Sequence, residues 1–135
     1  MRSDIISKAI NTTFNEDEFW VLLIKCSKAK AGPFDGNCLT CARAIIHAVG
    51  SGSLVRIISD LNDGQAEHYG AMVSGVIYDF DGPAKTPIEW VERFRISEQV
   101  YDRECLFAHG LGRNDMEDDH EAVESISNLL LKSLV

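Results

Sequence analysis

No stretch of this sequence approaches the ~20 consecutive apolar residues that span a bilayer, so it predicts no transmembrane helix. Met1 to Ile10 carry charge and no long apolar run, which is not the pattern of a secretory signal. The 4 cysteines, at positions 26, 38, 41 and 105, are too scattered for a dense disulfide framework. Together these absences predict synthesis in a reducing cytoplasm and no membrane partner. Positive charge is also scarce. Against 21 Asp and Glu stand 13 Lys and Arg, a net charge of −8 that repels phosphate backbones and argues against nonspecific nucleic-acid binding. An RNase would need a local basic groove, for which Arg43, Arg56, Arg93, Arg95 and Arg103 are the candidates; the plainer reading makes them ordinary surface charges. Internal repeats, linkers and low-complexity segments are missing too. With 135 residues, 45% of them hydrophobic, the chain can bury one ordinary core, and we expect a single domain over residues 1–135.

What the sequence does contain is a thiol in a particular setting. Asp35, Gly36 and Asn37 break the preceding structure and supply capping candidates. Leu39, Ala42, Ile45, Ile46 and Val49 then recur at helical spacing, and Gly50 suits a C-cap. Cys38 therefore falls in the first turn of an apolar helix. A helix N-terminus and a nearby imidazolium both favour the reactive thiolate. Further on, residues 67–73 and 76–81 read as two strands of a hairpin turning at Ser74-Gly75. That turn pairs Val73 with Val76, Met72 with Ile77, Gly70 with Asp79 and His68 with Asp81. His68, Asp79 and Asp81 then share one face, with Asp79 diagonal to the histidine and Asp81 opposite it. A change of one residue in the loop would move both carboxylates to the other face.

A thiol, a base and an orienting carboxylate are the parts of a cysteine nucleophile site. Each also has a plain reading: Cys38 as a buried structural cysteine, His68 as a half-exposed strand residue, Asp79 and Asp81 as turn formers beside Gly82-Pro83. The combination, in the order Cys, His, Asp, is what points to catalysis. Cys38-x-x-Cys41 also admits zinc or redox chemistry. Zinc needs a second closely spaced pair of ligands, and Cys26, Cys105, His47, His109 and His120 are scattered singly, so no metal or other cofactor is expected. A thioredoxin-like site would follow a βαβ pattern, whereas Phe19 to Ala31 reads as helix. Cys41, one turn after Cys38, is expected to pack inward, with a resolving role on oxidation as the alternative.

The remaining pattern predicts helices over residues 3–13, 16–31, 37–49, 86–95 and 118–133, the second with Phe19, Trp20, Leu22 and Leu23 on its apolar face. It predicts strands over Leu54–Ser59 and within Val100–Ala108, and a turn at Asn62-Asp63-Gly64. Pro87 suits a first helical turn. Helices first, then antiparallel strands, is an α+β arrangement. Asp115, Glu117, Asp118, Asp119, Glu121 and Glu124 crowd the start of the last helix, where acids complement the helix dipole; a docking surface for a basic partner is the alternative.

The segments Cys38 to Ile45, His68 to Gly70, Tyr78-Asp79, and Pro87 with Trp90 resemble the papain fold toxin domain 2 family, over roughly residues 34–95. The resemblance implies a papain-like α+β fold, a nucleophile-bearing helix packed on a small antiparallel sheet, and a Cys38–His68–Asp79 site. It implies a cysteine hydrolase or acyltransferase (peptidase, amidase or deamidase) acting on a protein or peptide as a bacterial toxin or effector. Delivery without a signal peptide and a cognate immunity or antitoxin protein go with that class. A nuclease toxin on the same scaffold and a non-catalytic binding domain are the alternatives. Asn37-Cys38, His68 and Ala71 to Gly75 are also similar to secreted papain-like amidases that cut peptidoglycan peptides. Papain-type proteases carry a Gln several residues before the nucleophile as an oxyanion donor, and Lys30 to Phe34 contains none. The Cys38 backbone N–H supplies one donor, and Asn37 is the candidate for the other.

Overall fold

Ile6, Ala9, Ile10, Thr13 and Phe14 recur at three- and four-residue intervals and bury one side of the first helix, α1 (Ser3–Phe14). After a break, Asp17 and Glu18 open α2 (Asp17–Cys26), where acids complement the helix dipole. α3 (Cys38–Val49) buries Leu39, Ala42, Ala44, Ile45 and Ala48 and stops where expected. Gly50 takes φ 86°, and its N–H closes on the Ile46 carbonyl, a left-handed cap that glycine adopts without Cβ strain. The structure, a computed structural model, describes residues 3–26, 38–60, 66–112 and 120–134. Asp35, Gly36, Asn37, the 62–64 turn, the rest of the expected 16–31 helix and most of the acidic run lie outside the described residues, as do the side chains of Leu22 and Leu23.

Five strands follow: β1 (Ser53–Ser59), β2 (Ala66–Val73), β3 (Val76–Asp79), β4 (Gly82–Ala84) and β5 (Cys105–His109). They form one antiparallel sheet in the order β4-β3-β2-β1-β5. Between β4 and β5 lies α4 (Pro87–Ser97), with Pro87 in its first turn and the Thr86 hydroxyl accepting the Glu89 N–H. α5 (His120–Leu134) closes the chain. The result is α+β. Among the described residues, no helix is long and apolar enough to cross a membrane.

The β2–β3 turn has the geometry that its loop length demands. Ser74 and Gly75 take φ 51° and 82°, the left-handed pair that matches strand twist, and Val73 pairs Val76 while Met72 pairs Ile77. The expected hairpin nevertheless runs too long. β3 ends at Asp79, and the chain turns through Phe80 and Asp81 into β4, which pairs Asp79 with Gly82. Asp81 therefore does not pair with His68. Pro83 stands on this edge strand, the place in a sheet where a missing N–H is tolerated. The expected last strand is shorter as well: only Cys105–His109 pairs, with β1.

The sheet separates two apolar layers. Tyr69, Ala71, Val73 and Tyr78 pack among α1, α2, α3 and α5; Val55, Ile57 and Ile77 pack under Trp90, Val91 and Phe94 of α4. A bulge between Ile57 and Ile58 adds Glu67 to β2, so that Ala66 joins the first layer. His68, opposite Ile57, is directed to the α4 side.

Candidate active site

The site is assembled where β3 stops, at the end of the sheet away from the Ser74-Gly75 turn. His68 lies against Phe94 with ring centroids 5.3 Å apart and planes 14° from parallel, and tilts against Trp90 at 5.7 Å. These rings hold the imidazole flat and keep water from it. Its Nε2 meets Asp79 Oδ2 at 2.9 Å. The same oxygen accepts the Trp90 indole N–H at 2.8 Å. Asp79 Oδ1 accepts Arg93 Nη2 at 2.8 Å and the Asp81 backbone N–H at 2.8 Å. Four donors thus saturate a buried carboxylate, the condition under which a charge can leave water.

Cys38 reaches this chain of bonds from the opposite layer, from the first turn of α3. Cys38 is 3% exposed and His68 2%, and the thiol lies close enough to the imidazole to raise its pKa. Burial works to lower the His68 pKa. Hydrogen bonds to Asp79 and Cys38, and the charges of both, outweigh it and lift the value from 6.5 to about 9. Burial likewise opposes the Asp79 charge, but the bond to His68, the charges of His68 and Arg93 and the Trp90 bond hold its carboxyl below the ordinary range. Cys41, buried one turn after Cys38, is pushed up by burial first and then by the charges of Cys38 and Asp79, so it stays a neutral thiol.

Of the expected site residues, the structure brings Cys38, His68 and Asp79 together. Asp81 is exposed and contributes its backbone N–H to Asp79, so it does not compete to orient the histidine. Asn37 lies outside the described residues. Four of the five arginines proposed for a basic groove hold other partners. Arg93 pairs with Asp79 and also bonds the Pro83 and Gly82 carbonyls, Arg95 pairs with Glu92, Arg103 with Glu67 and Asp102, and Arg56 bonds the carbonyls of His109 and Gly110. Among the described residues, no group of three or more His, Cys, Asp and Glu is arranged to hold a metal. No family model, curated protein or solved structure matches the chain.

The supporting face of α4 was not foreseen. Trp90, Arg93 and Phe94 stand at i, i+3 and i+4, on one side of a helix, and all three serve the His68–Asp79 pair. Gly70 belongs with them: a Cβ there would lie 2.7 Å from Trp90 Cζ2 and 3.1 Å from Ile77 Cγ2. The spacing after a proline-opened, Thr-capped helix start was the signal available in the sequence.

Proposed function

We propose that this chain is a papain-like cysteine hydrolase or acyltransferase of the toxin or effector type, with a protein or peptide substrate. Cys38 is the nucleophile, His68 the base and Asp79 the residue that orients it. The observation that carries the reading is the buried His68 ring, beside the Cys38 thiol and bonded to a carboxylate that three further donors hold. With Nε2 held by Asp79, Nδ1 is the nitrogen that exchanges a proton with sulfur. The thiolate attacks a substrate carbonyl carbon, and the N–H groups of the first turn of α3 face the developing oxyanion. The imidazolium then gives its proton to the leaving amine. The C–N bond breaks and an acyl-thioester remains, which water or an acceptor amine resolves with His68 as base again. Asn37 is the candidate for a second oxyanion donor. A cognate immunity protein is the partner this reading implies.

Two measurements test it together. Iodoacetamide at about pH 6, read by mass spectrometry, should label Cys38 well ahead of Cys26, Cys41 and Cys105, because only a thiolate reacts readily there. Equal labelling, or Cys38 the slowest, overturns the nucleophile assignment. Cys38→Ala and Cys38→Ser should both abolish modification or cleavage of host protein in cells expressing the chain. RNA degraded at wild-type rates by the Cys38→Ala protein would replace this reading with a nuclease, since RNA can use its own 2′-hydroxyl as nucleophile.

A further inference from the structure

Cys41 has no part in the reaction above, yet it sits one turn from the thiol that does. Both cysteines are buried, in one apolar cluster. Helix geometry places Cα atoms three residues apart at about 5 Å, inside the window of about 4.4–6.8 Å that a disulfide spans. The Cβ atoms must close by about 1–2 Å, and the first turn of a helix can supply that movement because its N–H groups make no intrahelical bonds. Two cysteines that can meet, one of them beside the His68 ring, are more than a pair of core residues.

We propose that Cys38 and Cys41 are a reversible redox-modification site, in which a hydroperoxide oxidises Cys38 and Cys41 then closes an intramolecular disulfide. The inference rests on reading Cys38 as the reactive thiol. In the first step the Cys38 thiolate attacks a peroxide oxygen. The S–O bond forms and the O–O bond breaks, sulfur is oxidised and peroxide reduced, and the departing hydroxide or alkoxide takes the His68 proton. In the second step the Cys41 sulfur attacks the Cys38 sulfur. The S–S bond forms, the S–O bond breaks, and the Cys41 proton leaves with the hydroxide as water. The disulfide withdraws the nucleophile before it reaches the irreversible sulfinic acid, and a dithiol restores it.

The test uses the full chain carrying Cys26→Ser and Cys105→Ser, treated with hydrogen peroxide. The intact mass should fall by two hydrogens, with a Cys38–Cys41 link in the digest. Iodoacetamide capture of Cys38 should drop by about tenfold or more and return with dithiothreitol. With Cys41→Ser added, dimedone should trap a sulfenic acid on Cys38, and continued peroxide should give a sulfinic acid that dithiothreitol does not reverse. Sulfinic acid on Cys38 beside an intact Cys41 thiol in the parent overturns the proposal, as does equal recovery in the Cys41→Ser protein. If Cys38 resists iodoacetamide before peroxide yet joins Cys41, the catalytic reading fails and the redox pair stands. If Cys38 alkylates first and never joins Cys41, the redox pair alone fails.

Discussion

Replacing Asp79 by Asn removes one charge and keeps the shape of the site. His68 rises from 6.5 to about 9 in the folded protein, a preference for the imidazolium worth roughly 3 kcal/mol. Burial alone would push the value below 6.5, so the rise exists only because Asp79 and Cys38 overcome it. In Asp79→Asn the carboxylate charge is gone and the Cys38 contribution remains. The His68 midpoint, read from its ring signals by NMR, should fall by about 1 unit or more. Stability gives an independent reading. His68 binds its proton more tightly when folded than when unfolded, so its contribution is complete below 6.5 and is lost as the pH rises through about 9. Asp79 is held below 3.8, so its contribution is present above 3.8 and is lost as the pH falls through its folded value. Urea denaturation of the wild type should therefore lose stability on both flanks, and both dependences should flatten in Asp79→Asn. Arg93, 26% exposed at its side chain, can rehydrate in the variant, so the protein should still fold. A wild-type His68 midpoint at or below 6.5, or one unmoved by the substitution, would refute the reasoning.

Two further substitutions test the α4 support. Gly70→Ala forces a Cβ to 2.7 Å from the Trp90 ring and should cost about 1–3 kcal/mol in denaturant unfolding; a neutral effect would show that Trp90 can move away freely. Trp90→Phe keeps a ring against His68 but removes the 2.8 Å indole bond to Asp79, a loss of about 2–3 kcal/mol that should shrink as acid protonates the carboxylate. A loss that is the same at neutral and acid pH would assign the effect to ring size instead.

The parts of this fold that were legible in the sequence are those set by local pattern. Helical spacing of Ile6, Ala9, Ile10 and of Leu39, Ala42, Ile45 marks α1 and α3, and Gly50 marks an end. Ser74-Gly75 fixes a two-residue loop, and with it the register that brings Asp79 to the side of His68. What was not legible depends on where pairing stops. Nothing in Tyr78-Asp79-Phe80-Asp81 announces that the strand ends at Asp79, because alternation continues through all four. Only the departure of the chain into the Gly82–Ala84 edge separates the two carboxylates, one buried and the other exposed. The Glu67 bulge is hidden for the same reason: an inserted residue leaves the sequence pattern of β2 looking regular while changing which layer Ala66 joins.

The residues that serve Asp79 from α4 stand 11 and 14 positions away, beyond any local pattern. They follow from a different argument, one about charge. A carboxylate that orients a histidine must be shielded from water to fix the ring, and a shielded carboxylate needs donors to replace the water it loses. His68 supplies one. The Asp81 backbone N–H supplies a second, and the other two come from an element that packs over the same face of the sheet, where α4 supplies buried aromatic side chains. On that helix an indole N–H and a guanidinium three residues apart can reach the same carboxylate together, and the next residue, Phe94, covers the imidazole. Arg93 then has two tasks that pull the same way. It neutralises Asp79, and through Gly82 and Pro83 it fixes the edge strand that ends β3 at the residue where the carboxylate is needed. The turn that set Asp79 apart from Asp81 and the charge that keeps Asp79 buried are therefore held by one side chain.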